Sequence, residues 1–200
     1  MSLSGFQKMR RLVLALIISL AFLTLLFVAS AGSSEMHEGV EVAGLILIGA
    51  GIIGRLWCTA YIGGRKAAEI VETGPYAMTR NPLYFFSSIA AAGVGAQTGS
   101  ILLALVFGIG CMLAFHFVIL REETFLRGQF NAAYEEYCRR VPRFFPSIGL
   151  FQTPETVAIR PDRLYLTLKD GLMFLAAIPA FEAIEYFQTT GILTPVLHLY

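Results

Sequence analysis

The sequence predicts an all-α protein, a polytopic bundle of about five transmembrane helices that forms one domain over residues 1–200. Hydrophobic residues make up 56% of the chain and charged residues only 14%, whereas soluble domains carry about 25% charged residues. The apolar residues collect in long runs without an alternating strand pattern, and backbone exposed to lipid must satisfy its hydrogen bonds within helices. A net charge of +1 gives no reason to expect nucleic-acid binding.

The first apolar run covers residues 12–31 and contains 20 residues without a charge. At 1.5 Å per residue, such a helix crosses the roughly 30 Å hydrocarbon core of a bilayer. The basic residues before it, Lys8, Arg10 and Arg11, also resemble the start of a signal peptide. Because the apolar region of a signal peptide is usually only about 7–15 residues long, we predict a retained first helix.

Four further apolar runs follow. They cover residues 42–60, 83–97, 100–120 and 164–187. Thr98 and Gly99 separate two of them by a tight turn, which predicts a helical hairpin. The last run contains several charged residues, so it either crosses the membrane or lies in its interface.

The distribution of lysine and arginine predicts the orientation. The segments 33–41 and 98–99 contain neither residue type, whereas 61–82 and 121–163 are rich in arginine. Because basic loops stay in the cytoplasm, the N-terminus and both basic segments are expected there.

Residues 49–54 match the glycine pattern of dinucleotide-binding loops. That pattern binds a dinucleotide only when it follows a strand and opens a helix. Here it lies inside an apolar helical run, where small residues let membrane helices approach closely. We therefore interpret these glycines as a packing surface.

A polar block, residues 80–84, begins the predicted hairpin. Pro82 suits the first turn of a helix, and Asn81 can cap that turn, whose free N–H groups suit an anionic ligand. The alternative is an ordinary capped helix at the membrane interface, with Arg80 reaching toward water and Tyr84 in the aromatic belt.

Two adjacent carboxylates, Glu122 and Glu123, follow the hairpin at an expected membrane edge, where charge is costly without a partner. They are either solvated charges at a helix end or acceptors for a cationic ligand group. From Glu123 onward, one helical stripe of mostly apolar and aromatic residues is predicted, with spacings of 3, 4, 4 and 3. It runs through Leu126, Phe130, Tyr134 and Tyr137. An amphipathic helix on the bilayer accounts for the same stripe.

The order of these blocks resembles the isoprenylcysteine carboxyl methyltransferase and phospholipid methyltransferase superfamily of integral membrane enzymes. Gly-Pro-Tyr at 74–76 precedes the blocks already described, and Val-Pro-Arg-Phe-Phe-Pro at 141–146 closes them. About a third of the chain matches closely, within a family-like core at 42–150. Asn81 stands where histidine is commoner, which excludes a proton-transferring imidazole there and leaves the substrate open. Asn131 stands where glycine is usual, and asparagine also tolerates left-handed backbone.

The resemblance implies a cytoplasmic pocket for S-adenosylmethionine, in which Glu122 and Glu123 meet the ammonium group of the cofactor. Tyr134 and Tyr137 would form an aromatic wall for its adenine. The other residues expected at the cofactor are Arg80, Asn81, Pro82, Tyr84, Gly93, Gly95 and His116. Packing is an alternative role for the two glycines, and a structural hydrogen bond is one for His116. Glu123 and Arg143 are expected to be catalytic, because two flanking prolines restrict the arginine, which can grip a carboxylate through two parallel bonds.

The function that this resemblance implies is methylation of a membrane-embedded, lipid-like or prenylated acceptor. Carboxyl O-methylation is favoured over phospholipid N-methylation, because an amine acceptor needs a base and none stands out. An NADPH-dependent sterol-type reductase, using the arginines at 139, 140 and 143, is one alternative, and a non-catalytic interaction protein is another. No metal site is expected, since the histidines are dispersed and the cysteines lack CxxC spacing. Membrane lipids are expected partners, and the oligomeric state is left open.

The predicted orientation has a direct test on a background from which the native cysteines are removed. Segments 61–82 and 121–163 should be cytoplasmic and 33–41 outside, because the basic residues lie in the first two. An impermeant thiol reagent added to intact cells should label Glu35→Cys and leave Ser147→Cys unlabelled. Labelling of Ser147→Cys from outside would contradict the orientation.

Overall fold

The computed structural model describes residues 25–65 and 68–199, and helices dominate both ranges. The α-helices are α1 (Ser34–Ile62), α2 (Pro75–Met78), α3 (Pro82–Ala96), α4 (Ile101–Phe130), α5 (Ala132–Arg140), α6 (Pro161–Leu172) and α7 (Ala177–Thr189). Short 3-10 helices cover Ile148–Leu150 and Met173–Ala176, and two strands, β1 (Val28–Ser30) and β2 (Leu197–Leu199), pair in parallel. The all-α prediction is confirmed.

Three helical stretches of the described chain are long and apolar enough to cross a membrane. They are Ser34–Ile62, Ile101–Phe130 and Pro161–Thr189, and the last joins α6, the second 3-10 helix and α7. Helix α3 is apolar but shorter. The runs predicted at 42–60, 83–97, 100–120 and 164–187 are therefore all helical. Most of the first predicted run, 12–31, lies outside the described residues.

The predicted hairpin of α3 and α4 is present. Gly99 adopts a φ of 68°, which glycine tolerates because it has no Cβ. The Ser100 hydroxyl then accepts a hydrogen bond from the Leu103 amide and caps α4. The turn thus places α4 beside α3 and both against α1.

Glycines hold α1 against α3. A Cβ on Gly51 would lie 2.6 Å from the Cβ of Ala90, and one on Gly54 would lie 2.1 Å from the Phe86 ring. Because these two glycines lack side chains, the two helices can touch. The packing interpretation of residues 49–54 is therefore confirmed. Gly49 faces open space instead.

Helix α4 is longer than the sequence pattern suggested. It continues to Phe130, so Glu122 and Glu123 lie inside the helix rather than at its end. The predicted continuous stripe to Tyr137 is wrong, because the helix breaks at Asn131, whose φ is 48°. The expectation that this asparagine adopts a positive φ is confirmed.

The two short strands were not expected. Val28 pairs with Leu197 and Ser30 with Leu199, so the predicted first helix does not extend to residue 31. The side chain of Gln188 donates to the backbone oxygen of Val28 and ties α7 to β1. A strand of three residues is too short to give a readable alternation of polar and apolar side chains.

Two glycines of α1 that are two residues apart, Gly49 and Gly51, give a matched test of the contact between α1 and α3. Gly51→Ala should lower the free energy of unfolding by about 1–3 kcal/mol, because the new methyl overlaps Ala90. Gly49→Ala should instead raise it by about 0.5–1 kcal/mol, since alanine favours a helix and meets no atom within 4 Å. Melting temperatures in detergent would show the difference, and equal shifts would argue against this packing.

Candidate cofactor site

A cavity of about 520 Å³ lies where α1, α3, α4 and α5 converge. Its lining includes eight residues that the sequence predicted for the site: Arg80, Asn81, Pro82, Tyr84, Glu122, Glu123 and, on α5, Tyr134 and Tyr137. Apolar side chains such as Leu83 and Phe115 complete the lining. The fold therefore brings together polar blocks that are far apart in the sequence.

Glu123 is the electrostatic centre of this region and is only 1% exposed. Its Oε1 lies 3.1 Å from Nη1 of Arg80, and its Oε2 lies 3.3 Å from Nη2 of Arg127. Arg143 grips both carboxylate oxygens, with Nε 3.1 Å from Oε1 and Nη2 3.0 Å from Oε2. A carboxylate can be buried at this depth only because these guanidinium groups compensate its lost hydration.

The predicted catalytic role of Arg143 receives a different explanation. Its guanidinium does hold a carboxylate through two parallel bonds, but that carboxylate is Glu123 of the same chain. These bonds raise the pKa of Arg143 above its usual value. Arg143 lies outside the cavity lining, so the geometry makes it a positioning residue.

Backbone contacts join the start of α3 to the segment that carries Arg143. The Arg80 amide donates to the Pro142 oxygen at 2.9 Å, and Asn81 Nδ2 donates to the Arg143 oxygen at 2.9 Å. Pro82 opens α3 as expected. However, the Asn81 side chain makes no capping hydrogen bond; it contacts the Arg143 segment instead.

Glu122 lines the cavity and shares a side-chain hydrogen bond with Tyr84. The Tyr84 ring packs against Phe115 with the ring centres 4.5 Å apart. These contacts connect α3 to α4 and orient an acidic side chain along the cavity wall.

Unsatisfied polar atoms mark the same cavity. Within residues 25–65 and 68–199, four buried side-chain polar atoms have no hydrogen-bond partner, and three of them belong to Arg55, Tyr76 and Arg80 in this lining. They are the Nε atoms of the two arginines and the tyrosine hydroxyl. Burial raises the pKa of Tyr76, so its hydroxyl stays a neutral donor. Because buried polar groups are nearly always paired, these three atoms indicate a ligand.

Sequence reasoning missed Arg55 and Tyr76 as site residues. Arg55 was visible as a charge inside an apolar run, which is a sign of function in membrane helices. Tyr76 belongs to the Gly-Pro-Tyr block, but nothing in the sequence showed that it lines one cavity with Arg80 and Arg55.

The aromatic residues of α5 lie where the sequence predicted them. The rings of Tyr134 and Tyr137 are 5.9 Å apart, and both are buried. Tyr137 donates its hydroxyl to the backbone oxygen of Tyr76 at 2.8 Å. The wall is thus anchored to α2, on the opposite side of the cavity.

Three predicted cofactor residues lie outside the cavity lining. A Cβ on Gly93 would lie 2.6 Å from the Gly44 oxygen, and one on Gly95 would lie 2.5 Å from the Leu103 oxygen. These glycines therefore serve helix packing. His116 is exposed on α4, two turns before Glu123 on the same helix face, and does not reach the cavity.

Comparison with known proteins agrees with this arrangement. The family model described as phospholipid methyltransferase matches residues 40–133. The nickel-cobalt-cadmium resistance protein NccN of Alcaligenes xylosoxydans xylosoxydans is 35% identical over 159 residues, which cover 77% of this chain and 74% of that protein. The chain belongs to the phospholipid methyltransferase family.

A second relative shows a similar level of identity. The cobalt-zinc-cadmium resistance protein CzcN of Cupriavidus metallidurans is 33% identical over 156 residues, covering 78% of this chain and 72% of that protein. No solved structure matches the chain. The segment matched by the phospholipid methyltransferase model contains α1, α3, α4 and the start of α5, the helices that form the cavity. The chain is an integral membrane protein of this family.

Arg143 and Arg139 offer a matched test of the buried network. Arg143→Lys keeps the charge but cannot reproduce the two parallel bonds to Glu123, so unfolding should become easier by about 1.5–3 kcal/mol. Arg139→Lys should change it by less than about 0.5 kcal/mol, because Arg139 is exposed and pairs with the exposed Glu136 on its own helix. Thermal unfolding in detergent measures both, and equal destabilisation would remove the special role of Arg143.

Proposed function

We propose that this protein transfers a methyl group from S-adenosylmethionine to a lipid-like acceptor in the membrane. The observation that carries the proposal is the set of unsatisfied donors on Arg55, Tyr76 and Arg80 around one cavity that also holds Glu122. The volume of about 520 Å³ lies within the range of about 300–1,000 Å³ typical of small-molecule sites.

The charges of the lining fit the amino-acid end of the cofactor. Arg80 and Arg55 have buried Nε–H groups without protein acceptors in the described ranges, and a carboxylate is the natural acceptor for them. Glu122 supplies a carboxylate for the ammonium group. Glu123 suits that role less well, because three arginines already occupy it. The predicted pair of acids therefore divides into one ligand-binding residue and one structural residue.

The aromatic side chains fit the other end of the cofactor. Tyr134 on α5 and Phe115 on α4 both line the cavity, and flat rings there suit an adenine base. S-adenosylmethionine, when bound, supplies a methyl group on a positively charged sulfur. The protein residues bind and orient the cofactor and, through apolar side chains such as Leu126, limit the entry of water.

The acceptor is expected to approach from the bilayer. Phe125 lines the cavity and is 61% exposed, on a face of α4 that is rich in apolar side chains. An apolar opening of this kind suits a prenyl or acyl chain. This supports a lipid-like acceptor without naming it.

Carboxyl O-methylation, as in isoprenylcysteine substrates, fits this lining better than N-methylation. A carboxylate acceptor is already anionic and needs no base, whereas an amine must lose a proton. The described part of the lining contains no histidine, since position 81 is asparagine and His116 lies outside. N-methylation of a phospholipid amine is the second candidate, favoured by the name of the family model.

Two other functions fit less well. An NADPH-dependent reductase would use arginines 139, 140 and 143 for the extra phosphate, but each is paired with a glutamate and none lines the cavity. A non-catalytic interaction protein would have no reason to keep three unsatisfied donors in one buried cavity.

The names of both relatives suggest the physiological setting. NccN and CzcN are named for resistance to nickel, cobalt, zinc and cadmium. We propose that this protein also acts in metal resistance, and that methylation of a membrane molecule contributes to it.

Glu122→Gln tests the proposal. Loss of a charge-assisted acceptor should weaken binding of S-adenosylmethionine roughly 10- to 100-fold, or about 1.5–3 kcal/mol. Transfer of a labelled methyl group to total membrane lipid should fall with it. Glu135→Gln, an exposed glutamate on α5, is the control and should behave as wild type.

The outcome separates the parts of the proposal. Undiminished cofactor binding by Glu122→Gln would remove Glu122 from the site, and failure of the wild-type protein to bind the cofactor would refute the activity. A gene deletion restored to metal tolerance by Glu122→Gln as well as by wild type would dissociate methylation from resistance.

A further inference from the structure

The fourth unsatisfied atom lies in a different place from the other three. It is Nε2 of His37, near the start of α1. Arg55, in the cofactor cavity, is 18 residues further along the same helix, or about 27 Å away at a rise of 1.5 Å per residue. This second location is therefore near the opposite end of the bundle.

Two carboxylates face this imidazole. Nε2 of His37 lies 3.3 Å from Oε1 of Glu41 and 3.7 Å from Oε2 of Glu185. The three ligand atoms lie within 4.8 Å of one another, although Glu185 comes from α7 at the far end of the chain. The dispersed histidines gave no reason to expect a metal site, but folding brings partners to His37 that the sequence spacing does not show.

We infer that His37, Glu41 and Glu185 form a site for a divalent transition-metal ion. Zinc-type ions hold imidazole nitrogen and carboxylate oxygen at about 2.0–2.2 Å in a tetrahedron, so neighbouring ligand atoms lie about 3.4 Å apart. The observed separations of 3.3 and 3.7 Å match that spacing.

The imidazole is held in place by the surrounding backbone. A Cβ on Gly99 would lie 1.9 Å from Nδ1 of His37, so only glycine lets the turn between α3 and α4 approach the ring. The Ser30 hydroxyl donates to the Gly99 oxygen at 3.0 Å, and Gln188 ties α7 to β1. The unexpected strands thus help to hold α7, and with it Glu185, against the start of α1.

The ligand atoms at this site favour particular metal ions. One imidazole and two carboxylates suit Zn²⁺, Co²⁺ or Ni²⁺, whereas Mg²⁺ and Ca²⁺ prefer oxygen ligands alone. Two carboxylates and a neutral imidazole balance the two charges of such an ion. His37 and Glu185 also line a separate cavity of about 250 Å³, so the fourth coordination position opens into space. Three protein ligands and one open position are typical of a site that exchanges its ion or binds a further ligand, rather than of a closed structural site.

Binding of Co²⁺ to the full chain in detergent tests the inference. The wild-type protein should bind one equivalent and show the visible absorption of a tetrahedral Co²⁺ ion, which Zn²⁺ should displace. His37→Gln and Glu185→Gln should each weaken binding by more than about 100-fold, since the loss of even an outer partner costs about 10- to 100-fold. No methyl acceptor or cofactor is needed, so this result is independent of methyl transfer.

Two exposed neighbours provide matched controls. His198→Gln removes an exposed imidazole on β2, and Glu38→Gln removes an exposed carboxylate next to His37. Both should bind Co²⁺ as the wild type does. Melting temperatures verify folding, and Glu185→Asp, which keeps a carboxylate on a shorter side chain, replaces Glu185→Gln if that variant unfolds. Absence of wild-type binding, or equal affinity in His37→Gln, would overturn the inference.

Discussion

The burial of Glu123 among three arginines is the constraint on which the cofactor cavity depends. A carboxylate that is 1% exposed on a membrane-protein helix is tolerable only with close cationic partners. Those partners come from the start of α3, from the next turn of α4 and from the segment after α5. Removing one partner of a buried ion pair typically costs about 3–5 kcal/mol, so these three segments are held in one arrangement. The walls of the cavity are therefore positioned before any ligand binds.

This network also explains why two adjacent glutamates have different roles. Consecutive residues on a helix point about 100° apart, so Glu122 and Glu123 meet different surroundings. Glu123 faces the arginines and stabilises the walls, whereas Glu122 faces the cavity beside Tyr84. In the proposed binding mode, a ligand carboxylate would accept from guanidinium donors that have no protein partner among the described residues, notably Nε of Arg80. Arg80 would then use Nη1 for its ion pair with Glu123 and Nε for the ligand.

The local features of the sequence predicted the fold well, and contacts between distant segments were harder to foresee. Apolar runs indicated the helices, and Pro82 indicated the start of α3. Asparagine at 131 indicated tolerance of left-handed backbone, although the helical stripe was expected to continue through it. The glycines of α1 were correctly interpreted as a packing surface because their context was helical. In contrast, the partner of Arg143 and the meeting of His37 with Glu185 depend on tertiary packing, which residue spacing does not encode. The β1–β2 pair was missed for the same reason, since each strand is short and its partner is remote.

The buried polar atoms without hydrogen-bond partners lie near the two ends of helix α1. Folding a chain into a membrane normally pairs every buried polar atom, because an unpaired one costs about 1–3 kcal/mol. Among the described residues, the exceptions fall at only two places, and each place offers complementary charge and a cavity. Helix α1 runs through both, carrying His37 near its start and Arg55 near its end. An ion that drew Glu185 closer to His37 would pull α7 against α1, and α6, which continues into α7, contributes Thr167 to the cofactor cavity. The two proposed sites would therefore share helix α1 and the α6–α7 stretch.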